Sequence, residues 1–124
     1  MINLEKIFAD TLAKYPKAAG TLAYNTAVRS IGIRNEGIEH RIEVFGLDNI
    51  ADEYVTYRKD CIKALNKMKR QRSANKINIF NLDFTMDEYF IQIALWTAYN
   101  RAVVRELNVR FKKRAKEQIA PRKQ

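Results

Sequence analysis

The chain has 124 residues, 47% of them hydrophobic and 10% aromatic, which is enough apolar material for one core and the usual size of one domain. Its formal net charge is +9. Cys61 is the only cysteine and His40 the only histidine, which excludes an intramolecular disulfide, argues against a closed zinc site and suits a reducing compartment.

Asn3 is a candidate N-cap for a first helix over Asn3–Tyr15, whose Leu4, Ile7, Phe8, Thr11 and Leu12 share a face. Pro16 ends that helix, because the residue before a proline is pushed out of helical geometry, and it can open the next. A second helix is expected over Lys17–Ser30, burying Leu22, Ala23, Thr26 and Ala27, with Gly20 inside it as a weak point. Ile31–Gly37 reads as a turn. Two readings compete for Ile38–Phe45. A helix stopped by Gly46 buries Ile38, Ile42 and Phe45, and a strand buries Ile38, Ile42 and Val44. The helix is preferred, since no strong partner strand is evident.

A third helix starts near Asp48 or Asn49, both good caps. Ile50, Tyr54, Tyr57, Cys61, Leu65 and Met68 recur every three or four residues and make one narrow apolar stripe. Lys59, Lys63, Lys67 and Arg70 fall on the opposite side. Residues Lys69–Lys76 read as the helix end and a polar loop, and Ile77–Phe84 as extended. Thr85 and Glu88 form a capping box that opens a final helix reaching about Ile119. Its first part, Tyr89–Val104, is apolar nearly all round and should be the central core helix, with Trp96 and Tyr99 in the core. Leu107 and Phe111 extend one apolar stripe, so the end of this helix is expected to project or to pack on a second copy as a homodimer.

The expected fold is therefore all-α, a single compact domain of four to five helices over 1–119 with a long C-terminal helix and a flexible basic tail at 120–124. No apolar run approaches the roughly twenty residues that a membrane span needs, and the N-terminus lacks a basic segment followed by an apolar one. A cytoplasmic protein with no membrane contact is the expectation.

Charge is unevenly placed. Residues 1–50 are neutral, 51–78 carry +5, 79–100 carry −3 and 101–124 carry +7. Two basic segments of this kind suit a polyanion, because Lys and Arg at helical spacing neutralise phosphates and release counterions. The first set is Lys59, Lys63, Lys67, Lys69, Arg70 and Arg72. The second is Arg101, Arg105, Arg110, Lys112, Lys113, Arg114 and Lys116. If their helices pack side by side, the sets are positioned to join into one groove wall.

Catalytic candidates are thin. Cys61 lies on an apolar stripe, and His40 has no signature linking it to a nucleophile. Asp48, Asp52, Asp83, Asp87 and Glu88 sit near helix starts, where acids favour the dipole. No phosphate-binding glycine loop, dinucleotide fingerprint or nucleophile elbow occurs. The tyrosines are scattered rather than set on a stacking platform. The sequence thus points to a protein that is not an enzyme, uses no cofactor or metal, and binds DNA or RNA in a regulatory or accessory role. The alternative is a small inhibitor or adaptor of viral or mobile-element type that docks on a larger protein machine.

Overall fold

The computed structural model describes the backbone of residues 2–74 and 80–119, and the side chains of 2–70 and 89–117. Among these residues there are four α-helices, one 3-10 turn and no strand.

Helix α1 spans Leu4–Lys14. The Asn3 side chain accepts from the Lys6 amide at 3.1 Å, satisfying one of the amides a helix start leaves without a partner. Leu4, Ile7 and Phe8 turn toward the core. Pro16 ends α1 as expected and opens the 3-10 turn Pro16–Ala18.

The second helix departs from expectation at both ends and in its buried face, where Ala23 and Ala27 turn to the core in line with Ile31 and leave Leu22 and Thr26 exposed. Gly20 has φ +76°, so it belongs to a left-handed turn and not to a helix interior. Thr21 is the true cap: its hydroxyl accepts from the Tyr24 amide at 3.2 Å and donates to the Ala18 carbonyl at 2.7 Å. Helix α2 then runs unbroken over Leu22–Phe45, through the segment read as a turn at Ile31–Gly37. Ile31 and Ile38 explain this. They are two helical turns apart, both buried, and aligned with buried Ala23 and Ala27. Burying that face outweighs the cost of about 1 kcal/mol each for Gly32 and Gly37 in a helix interior. Residues 38–45 are helical; Val44, inward in the strand reading, is exposed, and so is Phe45, inward in the helix reading, because as the last residue of α2 it lies under the Arg41 guanidinium instead of in the core.

Gly46 alone joins α2 to α3, which spans Leu47–Ala74. Its φ of +91° with ψ 148° is a conformation only glycine tolerates well. Gly46→Ala is expected to cost about 1–3 kcal/mol in urea unfolding; an unchanged midpoint would show that the junction relaxes. Asn49 does not cap α3. Its amide donates instead to the Phe45 carbonyl at 2.7 Å, at the end of α2. The apolar stripe of α3 is as expected, with Ile50, Tyr54 and Met68 buried and Tyr57, Cys61 and Leu65 half-buried.

Helix α3 continues to Ala74, through most of the expected loop, and α4 spans Phe80–Ile119. Residues 80–84 are therefore helical, and Thr85 lies inside α4 instead of capping it. Phe80 and Phe84 are four apart, a spacing that suits a helix as well as a strap. Residues 75–79 and the tail at 120–124 lie outside the described residues.

The 40-residue α4 is about 60 Å long and is the helix on which the other three pack. Its Leu95, Tyr99, Val103 and Leu107 are fully buried. Tyr15 meets Phe90 while Ile2 lies beside Leu107 and Arg110, so α1 runs opposite to α4. Asn35 accepts from the Tyr99 hydroxyl at 3.1 Å and Glu39 meets Arg110, so α2 runs parallel to α4. Cys61 meets Asn100 and Asp48 meets Arg114, so α3 is antiparallel to α4. The chain order is thus an up-down-up-down bundle. Arg34 of α2 ties three helices together, its guanidinium over Tyr57 at 5.4 Å and over Trp96 at 5.8 Å. Among the described residues, no helix is long and apolar enough to cross a membrane.

Candidate nucleic-acid interface

Lys59, Lys63, Lys67, Lys69 and Arg70 of α3 are exposed, as are Arg101, Arg105, Lys112, Lys113 and Lys116 of α4. Arg72 lies in the last turn of α3, beyond the described side chains. Among the described residues none of these exposed cations is paired with a carboxylate.

Two other arginines of the second basic set are paired. Arg110 forms a two-pronged bond with Glu39 of α2, one prong at 3.0 Å, and lies 3.5 Å from Glu106. Arg114 donates to Asp48 of α3 at 3.0 Å. A third bond of this kind joins Arg41 to Glu53 at 2.5 and 2.8 Å, with Arg34 at 3.9 Å. Glu39, Asp48 and Glu53 thus serve as counter-charges for arginines that clamp helix to helix, and Arg110 and Arg114 of the second basic set are committed to such pairs.

These clamps carry a pH dependence. The Arg110 guanidinium holds the Glu39 carboxyl below its ordinary 4.5, and Arg41 does the same to Glu53. A carboxylate with a depressed folded pKa contributes stability above its unfolded pKa and loses it as pH falls through the folded one. The melting temperature is therefore expected to fall below about pH 4.5, less steeply in Glu39→Gln/Glu53→Gln. A double variant as acid-sensitive as the wild type would assign that loss to other carboxylates.

The two basic faces do not merge. On α3, Cys61 faces the α4 seam, whereas Lys63 and Arg70 lie about 160–180° round the helix from it. Lys59, Lys63 and Arg70 therefore point away from α4, Lys67 lies about 120° and Lys69 about 80° round from Cys61, and the set forms no common wall with the α4 cations. Asp60 sits at the edge of their arc, one turn before Lys63, and dilutes it.

The α4 stripe is cleaner. Arg101, Arg105, Lys112 and Lys116 fall within about 60° of arc and span about 22 Å of helix. Glu106 and Glu117, the only acids in this part of α4, lie more than about 100° from the centre of that arc. Lys113 is about 100° away and does not join the stripe. Exposed Val109 lies beside it. The sequence shows the stripe as spacing. It does not show that the neighbouring Arg110 and Arg114 pair with carboxylates on other helices.

Other chemistry is sparse among the described residues. No group of three or more His, Cys, Asp or Glu side chains is placed to hold a metal. Burial pushes the Cys61 thiol up from its ordinary value, which disfavours the reactive thiolate, and Asn100 donates to its sulfur at 3.5 Å. His40 is exposed on the far side of α2, while Cys61 faces α4. No family model matches the chain, and neither a curated protein nor a solved structure matches it.

Proposed function

We propose that the protein is a non-catalytic nucleic-acid-binding accessory factor that meets the phosphate backbone with the outer face of α4. The observation that carries this reading is the stripe Arg101, Arg105, Lys112 and Lys116, exposed, unpaired among the described residues and without a carboxylate on its arc. A rigid helix presents these charges at fixed spacing, so little side-chain ordering beyond the cations themselves is needed. Lys59, Lys63, Lys67 and Arg70 form a second, separate face on α3, suited to another segment of the same polyanion. No side chain on either face is committed to reading base edges, so binding is expected to follow charge and not sequence. A cytoplasmic setting accords with the single thiol of Cys61.

The test is binding of the full chain to random duplex DNA and to RNA across a salt series. Four phosphate contacts give a log–log salt slope of about −3 to −4 on duplex DNA. Absence of binding at low salt to both would overturn the proposal and make a protein partner the thing to look for.

A further inference from the structure

Helix α2 has a second face that the bundle does not use. Ala23, Ala27, Ile31 and Ile38 face the core. On the opposite side Leu22 is 77% exposed, Ile33 64% and Val44 58%. At about 100° per residue these three lie within about 40° of one another, in a line about 33 Å long. Between them on the same side come Thr26, Arg29, Gly37 and His40, so the spacings along the line are those of a helix seam.

Gly37 is the second observation. It lies in the line one turn after Ile33, in ordinary helical conformation, and a Cβ built there would meet nothing within 4 Å. Neither the backbone nor any packing within the chain requires a glycine there, yet one in a helix interior costs about 1 kcal/mol. Gly32 meets equally open space but lies about 100° round from Ile33, so Gly37 is the glycine that leaves the backbone open within the line itself.

We propose that this face is the two-fold interface of a homodimer, with α2 packed antiparallel on α2 of a second copy about an axis beside Ile33. The occupant follows from the symmetry of the line. Leu22 is eleven residues before Ile33 and Val44 eleven after, so end-for-end pairing sets Leu22 against the partner's Val44 and Ile33 against itself. Arg29 is four before and Gly37 four after, so the long Arg29 side chain crosses the open backbone at the partner's Gly37 and reaches the partner's Glu36. That ion pair forms twice, as a self-complementary contact requires. Charge points the same way. Helix α2 carries three arginines and three glutamates, whereas the outer faces of α3 and α4 are strongly positive and repel their copies. The expectation from sequence placed self-association on the C-terminal helix, whose outer face is instead the basic stripe. The dimer does not depend on the nucleic-acid reading.

The test is analytical ultracentrifugation of the full chain over a concentration series. The wild type is expected to show a monomer–dimer equilibrium. Ile33→Asp buries two like charges at the axis and is expected to weaken association at least about a hundredfold while leaving helical circular dichroism unchanged. Arg29→Glu is expected to weaken it and Arg29→Glu/Glu36→Arg to restore it, a recovery that a change in folding alone would not produce. Val109→Asp, on α4, is expected to have no effect. A wild type that is monomeric at every concentration overturns the proposal. So does a dimer that survives Ile33→Asp, or one lost on Val109→Asp.

Discussion

Arg101→Glu/Arg105→Glu/Lys112→Glu/Lys116→Glu is expected to remove measurable duplex binding. For four phosphate contacts, wild-type affinity is expected to fall about a hundredfold between about 50 and 200 mM salt. The reversed protein loses those contacts and adds repulsion at the same positions, so what the separate α3 face still binds should fall below detection. The fold should survive. All four side chains are exposed and none has a carboxylate partner among the described residues, so each change is expected to stay near 0.5 kcal/mol of stability. Electrophoretic mobility shifts with circular dichroism on the same sample would decide the matter. Lys63→Glu/Lys67→Glu serves as the comparison. If it weakens binding more than the α4 variant does, the α3 face is the principal contact and the assignment to α4 is wrong.

The largest loss of stability is expected at Leu95. It is fully buried in α4, in the same core cluster as Tyr54 and Tyr99. Leu95→Ala removes its transfer free energy and leaves a cavity in a helix that its neighbours hold in place, at a cost of about 2–5 kcal/mol. A protein of this size has about 5–15 kcal/mol in total, so the variant should unfold at markedly lower urea and melt well below the wild type. A change under about 1 kcal/mol would show that the site collapses around the smaller side chain.

Much of the architecture is legible in local signals. Asn3 as a cap, Pro16 as a stop and the period of Ile50, Tyr54, Tyr57 and Cys61 each concern residues within a turn or two, and the structure agrees with all three. The misreadings arise where a local signal is overruled by a longer helix. Gly32 and Gly37 signal a turn locally, but the tertiary burial of Ile31 and Ile38 decides in favour of a helix. Thr85 and Glu88 carry a sound capping pattern, yet α4 has already begun at Phe80. The candidate site was legible to the same depth. Helical spacing marks Arg101, Arg105, Lys112 and Lys116 as one stripe. Nothing local marks Arg110 and Arg114 as links between helices, because Glu39 and Asp48 lie 71 and 66 residues away along the chain.

The position of α4 also sets an order of events during synthesis. Helix α1 and the inner face of α2 find their main partner in α4, which is made after both of them and after α3. Until residues 95–107 have left the ribosome, Ile7 and Phe8 lack their α4 partners, and Ile31 and Ile38 can close only against Ile50 and Tyr54 of α3. Contacts of such sequence separation form late, and the waiting apolar faces are the kind that holding chaperones recognise. The nascent chain should therefore remain protease-sensitive through α3 and gain protection in a single late step, once Leu107 can reach its neighbours.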